Sequence, residues 1–275
     1  MKKCFFIALL VISAYAGSLR AQNYDYWVSR SFDCIEQDSL AEAEQALHEA
    51  LHLEPANPRN GLLLSNMGTL QRHQGKLKEA EISYTSALSL LPENIDLLRN
   101  RANLYTEMER WEEALTDYTD IIRISPQDED AHYERAMVRL ILADTTGARR
   151  ELELIDSFNP HSAKARLGMA YVYKTTGDYG LAADLYDALI EANPKSYSLY
   201  MQRAEVYYLS GRLGAAEGDI NRSIALYDKD PMTYLLRGRI RYARRDKKGA
   251  KADVDRALVL GLDPQIADDL IKKCK

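Results

Sequence analysis

Residues 95–128 read IDLLRNRANLYTEMERWEEALTDYTDIIRISPQD, and residues 163–196 read AKARLGMAYVYKTTGDYGLAADLYDALIEANPKS. Laid one over the other, the two stretches share a small residue at place 8 (Ala102, Ala170) and tyrosine at place 11 (Tyr105, Tyr173). They also share alanine at place 20 (Ala114, Ala182), tyrosine at place 24 (Tyr118, Tyr186) and proline at place 32 (Pro126, Pro194). Working outward, the place-20 alanine recurs as Ala43, Ala80, Ala114, Ala148, Ala182, Ala216 and Ala250. The first gap is 37 residues and every later one is 34. The place-8 file runs Ser31, Gly68, Ala102, Ala136, Ala170, Ala204, Gly238. A fixed period of this length marks a stack of supersecondary units, each unable to bury its apolar face alone. Such a stack makes contacts mainly between neighbours and implies no closed, deep catalytic pocket.

The registers are 24–57, 61–94, 95–128, 129–162, 163–196, 197–230 and 231–264. Each holds two stretches of about a dozen residues with apolar spacing near 3.6, the pattern of paired amphipathic helices. Small residues at places 8 and 20 let the two backbones approach where the helices cross. Gly75, Gly177 and Gly211 mark turns inside hairpins, and Pro55, Pro92, Pro126, Pro160 and Pro194 stop second helices. After Pro264, Ile266, Ala267, Leu270, Ile271 and Cys274 fall on one face of a short helix, so residues 265–275 read as a cap over the open end. Four units place arginine at 7 and a carboxylate sixteen residues later: Arg101 with Asp117, Arg135 with Glu151, Arg203 with Asp219, Arg237 with Asp253. The fifth unit has Met169 and Leu185, and the second Met67 and Ser83, so both partners are lost together; Arg30 with Ala46 is the exception. Joint presence and absence predicts structural ion pairs, because an unpaired charge in a partly buried site costs several kcal/mol.

These files resemble the tetratricopeptide repeat (TPR), and the resemblance covers nearly the whole chain beyond its first two dozen residues. It implies an all-α, right-handed superhelix (solenoid) of about seven helix-turn-helix hairpins plus the capping helix. In that family the first helix of each unit lines a concave groove that takes a protein or peptide. Carried over place by place, the implied groove residues are Arg99, Asn103, Tyr133, Met137, Leu167, Tyr171, Met201 and Tyr208, with Leu235 at place 5 of the last unit. Some members grip a C-terminal carboxylate; here Glu134 stands where that use needs asparagine, so the property is not carried over. Arg239, Arg241, Arg244, Arg245, Lys247 and Lys248 form a basic run suited to an acidic partner, including the acidic front of another copy in head-to-tail self-association.

The chain opens differently. Lys2 and Lys3 precede a nearly continuous apolar run from Phe5 to Ala16, then Gly17-Ser18-Leu19-Arg20-Ala21, the pattern of a cleaved secretory signal over 1–21. The expectation is export to periplasm or exterior, with Gly17 as the second candidate for the mature start and no transmembrane segment. The chain has 36 Lys+Arg against 41 Asp+Glu, a net −5. Residues 22–196 carry 17 basic against 30 acidic, whereas 197–275 carry 16 against 11. The acidic whole argues against nucleic-acid binding. Cys34 and Cys274 stand at opposite ends of the array and are read as unbridged. His48-Glu49-Ala50-Leu51-His52 matches the zinc-protease helix signature, but the repeat register explains the same residues, and a third ligand and cleft are missing from the pattern. No catalytic set, cofactor or metal is expected. The expected function is that of an exported, non-catalytic adaptor. Its rivals are a structural subunit of an envelope or secretion assembly and, remotely, a zinc peptidase.

Overall fold

The computed structural model describes residues 23–274, so the signal reading of 1–21 lies outside the described residues. Among those residues there are fifteen helices and no strand. Helix α1 spans 23–36 and α2 Leu40–Leu53; then come α3 (Asn60–His73), α4 (Leu77–Leu90), α5 (Ile95–Glu107), α6 (Trp111–Ile124) and α7 (Glu129–Ile141). They are followed by α8 (Thr145–Phe158), α9 (Ala163–Thr176), α10 (Tyr179–Ala192), α11 (Tyr197–Leu209), α12 (Leu213–Leu226), α13 (Pro231–Ala243), α14 (Lys247–Val259) and α15 (Pro264–Cys274). The chain divides into two compact units, Met1–Val138 and Arg139–Lys275, with the division inside α7.

Local chemistry sets the helix ends. The side chains of Asn94, Asp144, Ser162, Asp230 and Asp246 each accept a hydrogen bond from a backbone N–H of the following first turn. That satisfies one of the donors a helix start leaves open. The corner of every hairpin has the same form. A residue at place 15 turns left-handed, and the next backbone N–H reaches back to a carbonyl five residues earlier, as Lys76 does to Gln71 at 2.8 Å and Arg212 to Tyr207 at 2.8 Å. Gly75, Gly177 and Gly211 occupy that place without steric cost. In the other hairpins it falls to Asp38, Glu109, Ala143 and Arg245, with φ between 56° and 68°. The left-handed turn is therefore imposed by the hairpin packing, and four non-glycine residues tolerate it.

In both units the core sits between paired helices. Ala43, Ala80, Ala114, Ala148, Ala182, Ala216 and Ala250 are fully buried. Gly68 shows why the place-8 file is small: a Cβ there would lie 2.9 Å from the Tyr84 ring. Tyr84 and Tyr118 in the first unit, and Tyr186 in the second, fill the remaining space. Cys34 is buried, and both Cys34 and Cys274 are free thiols.

Candidate functional site

The arginine–carboxylate contacts lie across the hairpins. Arg101 Nη2 and Nε donate to the two oxygens of Asp117 at 2.7 and 2.9 Å, and Arg203 clasps Asp219 at 2.6 and 2.8 Å. Arg237 Nη2 meets Asp253 at 2.7 Å. Arg135 donates to Thr119 at 3.0 Å, while Glu151 lies in the other unit, 3.7 Å from Arg139. Burial pushes the Asp117 carboxyl above its usual range even though Arg101 draws it down; Arg101 and Arg203 are raised, chiefly by their bonds to Asp117 and Asp219. In the second hairpin a different network does the work. Ser83 donates to Gln71 at 2.7 Å, and Gln71 donates to Glu44 at 2.9 Å.

The groove residues divide between the units. In the first, Arg99 is committed to Asp128 at 2.7 Å, and the Asn103 side-chain oxygen accepts from the Tyr118 hydroxyl at 3.0 Å. The hairpin's own carboxylate and tyrosine already engage these two implied groove residues. Tyr133 and Met137 are half-buried on α7. In the second unit, Leu167 packs against the core around Ala170 and Tyr186. Tyr171 lies under Lys174, whose Nζ is 5.0 Å from the ring centre, and Lys174 pairs with Glu205 at 2.7 Å. Leu235 is only 1% exposed and belongs to the core, yet it also lines the cleft between α11 and α13.

Met201 and Tyr208 do line open space. A cleft of ≈170 Å³ between α11 and α13 is floored by Met201, Met232 and Leu236 and edged by Gln202, Glu205 and Arg239. A second, of ≈100 Å³, adjoins it through Arg239 and lies between Tyr208, Tyr242 and the α15 residues Ile266, Asp269 and Lys273. Met232 is 44% and Ile266 50% exposed. Gln202, Met232 and Leu236 were not singled out from sequence, whereas Glu205 stands at place 9, one of the inward places that the resemblance implies. The four stand at places 6 and 9 of one repeat and 2 and 6 of the next, all inward places in the related family, so the register held their signal.

The basic run is smaller than its sequence suggested. Arg241 donates to Asp253 at 2.8 Å and Arg244 pairs with Glu217, so neither is free for a partner. Arg245 occupies the left-handed corner; Lys247, Lys248 and Arg239 remain exposed. His48 and His52 are exposed on α2, and among the described residues no three His, Cys, Asp or Glu side chains gather as a metal site requires. No helix among them is long and apolar enough to cross a membrane.

A crystal structure of a tetratricopeptide repeat protein from Parabacteroides merdae ATCC 43184 is 37% identical, with a TM-score of 0.85, over 92% of this chain and 99% of that one. The chain belongs to the tetratricopeptide repeat family. The family model for the tetratricopeptide repeat matches residues 167–231. PilW, described as a widely conserved type IV pilus biogenesis factor, shares 17% identity at a TM-score of 0.62 over 70% of this chain and 90% of its own. The APC/C hetero-tetramer Cut9–Hcn1 shares 14% at 0.67, over 86% of this chain and 52% of that one. These last two likenesses speak to the fold alone. No curated protein matches the chain. TPR domains mediate protein–protein interactions and are generally non-catalytic scaffolds, and this repeat fold is consistent with that role.

Proposed function

We propose that this TPR protein is an exported, non-catalytic adaptor that holds a segment of a partner protein on the α11–α13–α15 face. The observation that carries the reading is the pair of adjoining clefts joined at Arg239. Met232 and Ile266 offer apolar surface that the core does not consume, beside the half-buried Met201, and Arg239 has no carboxylate partner among the described residues. An apolar patch rimmed by charge is the usual form of an interaction site. The matching partner segment carries an apolar side chain for the methionine floor and a carboxylate for Arg239. Export rests on the signal pattern of residues 1–21.

The test places a photo-crosslinking amino acid at Met232 or, on the opposite helix type, at Leu181, which is 50% exposed on α10. Adducts to one partner segment from position 232, lost in Met201→Gln/Arg239→Gln with helical content unchanged, support the adaptor. Adducts only from position 181 transfer the binding to the outer helices and favour the structural subunit. The same preparation gives the mature N-terminus. Gln22, or next Gly17, agrees with export, and an intact Met1 rejects it.

A further inference from the structure

At place 7 an arginine repeatedly ties adjacent hairpins together. Within the second unit, Arg203 clasps Asp219 of its own hairpin and reaches back to Asp187, at place 25 of the previous one, at 2.5 Å. Arg237 does the same with Asp253 and with Asn221 at 3.1 Å. In the first unit Arg101 joins Asp117 to Thr85 at 3.2 Å. The α9–α10 hairpin breaks the series, with Met169 at place 7 and Leu185 at place 23. Glu153 on α8 is the place-25 side chain that such an arginine would meet. Neither it nor Asp156, one turn on, has an ion-pair partner among the described residues. Bulk is missing at the same spot. Leu152 stands where the α9–α10 hairpin has Tyr186, and Ala165 where the α11–α12 hairpin has Leu199.

The outcome is a half-open cleft of ≈260 Å³ lined by apolar Leu152, Ala165, Met169 and Leu185 together with Glu153, Asp156, Arg166 and Tyr173. It shares no residue with the α11–α13–α15 face. We propose that this cleft receives an arginine side chain from a partner protein, supplying from outside the staple that the chain elsewhere provides for itself. The aliphatic stem covers Met169 and Leu185, and the guanidinium fork meets the two carboxylates. Tyr173 stands at the place where Tyr105 and Tyr207 receive the place-7 arginine at 5.7 and 5.8 Å. At Tyr173 the ring is covered by Arg149 instead, at 5.0 Å, and Arg166 leans toward the Pro160 carbonyl at 3.4 Å. A planar fork that bonds bidentately makes arginine the fitting guest over lysine.

The experiment follows the methionine and leucine methyl resonances of the full chain while N-acetyl-arginine amide is added, with the citrulline and norleucine analogues as neutral controls. Expected is a saturable shift at Met169 and Leu152, weakened about five- to tenfold for citrulline and in Glu153→Gln/Asp156→Asn. The Met232 methyl stays still. Met169→Arg/Leu185→Asp rebuilds the internal staple and should abolish the Leu152 shift without loss of helical signal. Equal shifts for arginine and citrulline, a response that survives in Glu153→Gln/Asp156→Asn, or a shift at Met232 alone would overturn the proposal. So would an undiminished Leu152 response in the rebuilt variant. Because Met201 and Met232 report separately, failure here leaves the adaptor reading to its own test.

Discussion

Replacing Arg101 by methionine asks whether the staple is a coupled pair. Asp117 is 1% exposed, and its two oxygens take their charge-assisted bonds from Arg101. Removing the guanidinium strands a buried carboxylate, a loss that runs to about 3–5 kcal/mol for buried pairs and sits near the lower end here because the Arg101 side chain is 19% exposed. The Thr85 bond and the contact with the Tyr105 ring add up to about 1 kcal/mol more. Arg101→Met/Asp117→Leu, the combination the α9–α10 hairpin already carries, removes the stranded charge and should cost only about 1 kcal/mol. The coupling between the two sites should therefore be at least about 2 kcal/mol. A repeat stack can unfold in stages, so the measurement is native-state hydrogen exchange of the α5 and α6 amides rather than one global transition. Lowering the pH should shrink the deficit of the single variant, since Asp117 then protonates and its raised carboxyl no longer needs a counter-charge. Equal losses in the single and double variants would show that the two side chains merely sit near each other.

Two further outcomes follow from the backbone and the carboxylates. Gly177→Ala should lose about 1 kcal/mol from the left-handed corner alone, because a Cβ there meets nothing within 4 Å, whereas Ala143→Gly should gain up to about 1 kcal/mol; thermal unfolding of both variants checks the pair. On the acid side, burial pushes the Glu44 carboxyl up, but hydrogen bonds from Lys76 and Gln71 outweigh it and hold it low. Arg110 holds Glu113 low, and the Gly147 N–H together with Arg139 holds Asp144 low. Their folded values lie below the unfolded ones, so their stabilisation is complete at neutral pH and is lost as pH falls through the folded values; Asp117 has the opposite sign. Glu44→Gln/Glu113→Gln/Asp144→Asn should lower the melting temperature at pH 7 and flatten its decline between about pH 5 and pH 3, and an unchanged slope would count against the assignment.

Sequence alone determined the unit of construction. A 34-residue spacing of small residues and tyrosines is a statement about which backbones touch, and periodic contact needs no coordinates to be read. The pairing of Arg101 with Asp117 was legible for the same reason, since a buried charge and its partner must appear and disappear together. Tertiary structure decided what those spacings could not. The corner at Asp38, Glu109, Ala143 and Arg245 gave no local signal, because the left-handed turn there is enforced by packing and not by residue preference. Arg99 and Asn103 looked free by register but are claimed by Asp128 and Tyr118. Arg241 and Arg244 looked like part of an open basic seat until Asp253 and Glu217 were found against them. A period counts positions along one chain, whereas charge satisfaction and open volume depend on side chains that several helices bring to the same point. For that reason the clefts at Met232 and Met169 exist only in three dimensions.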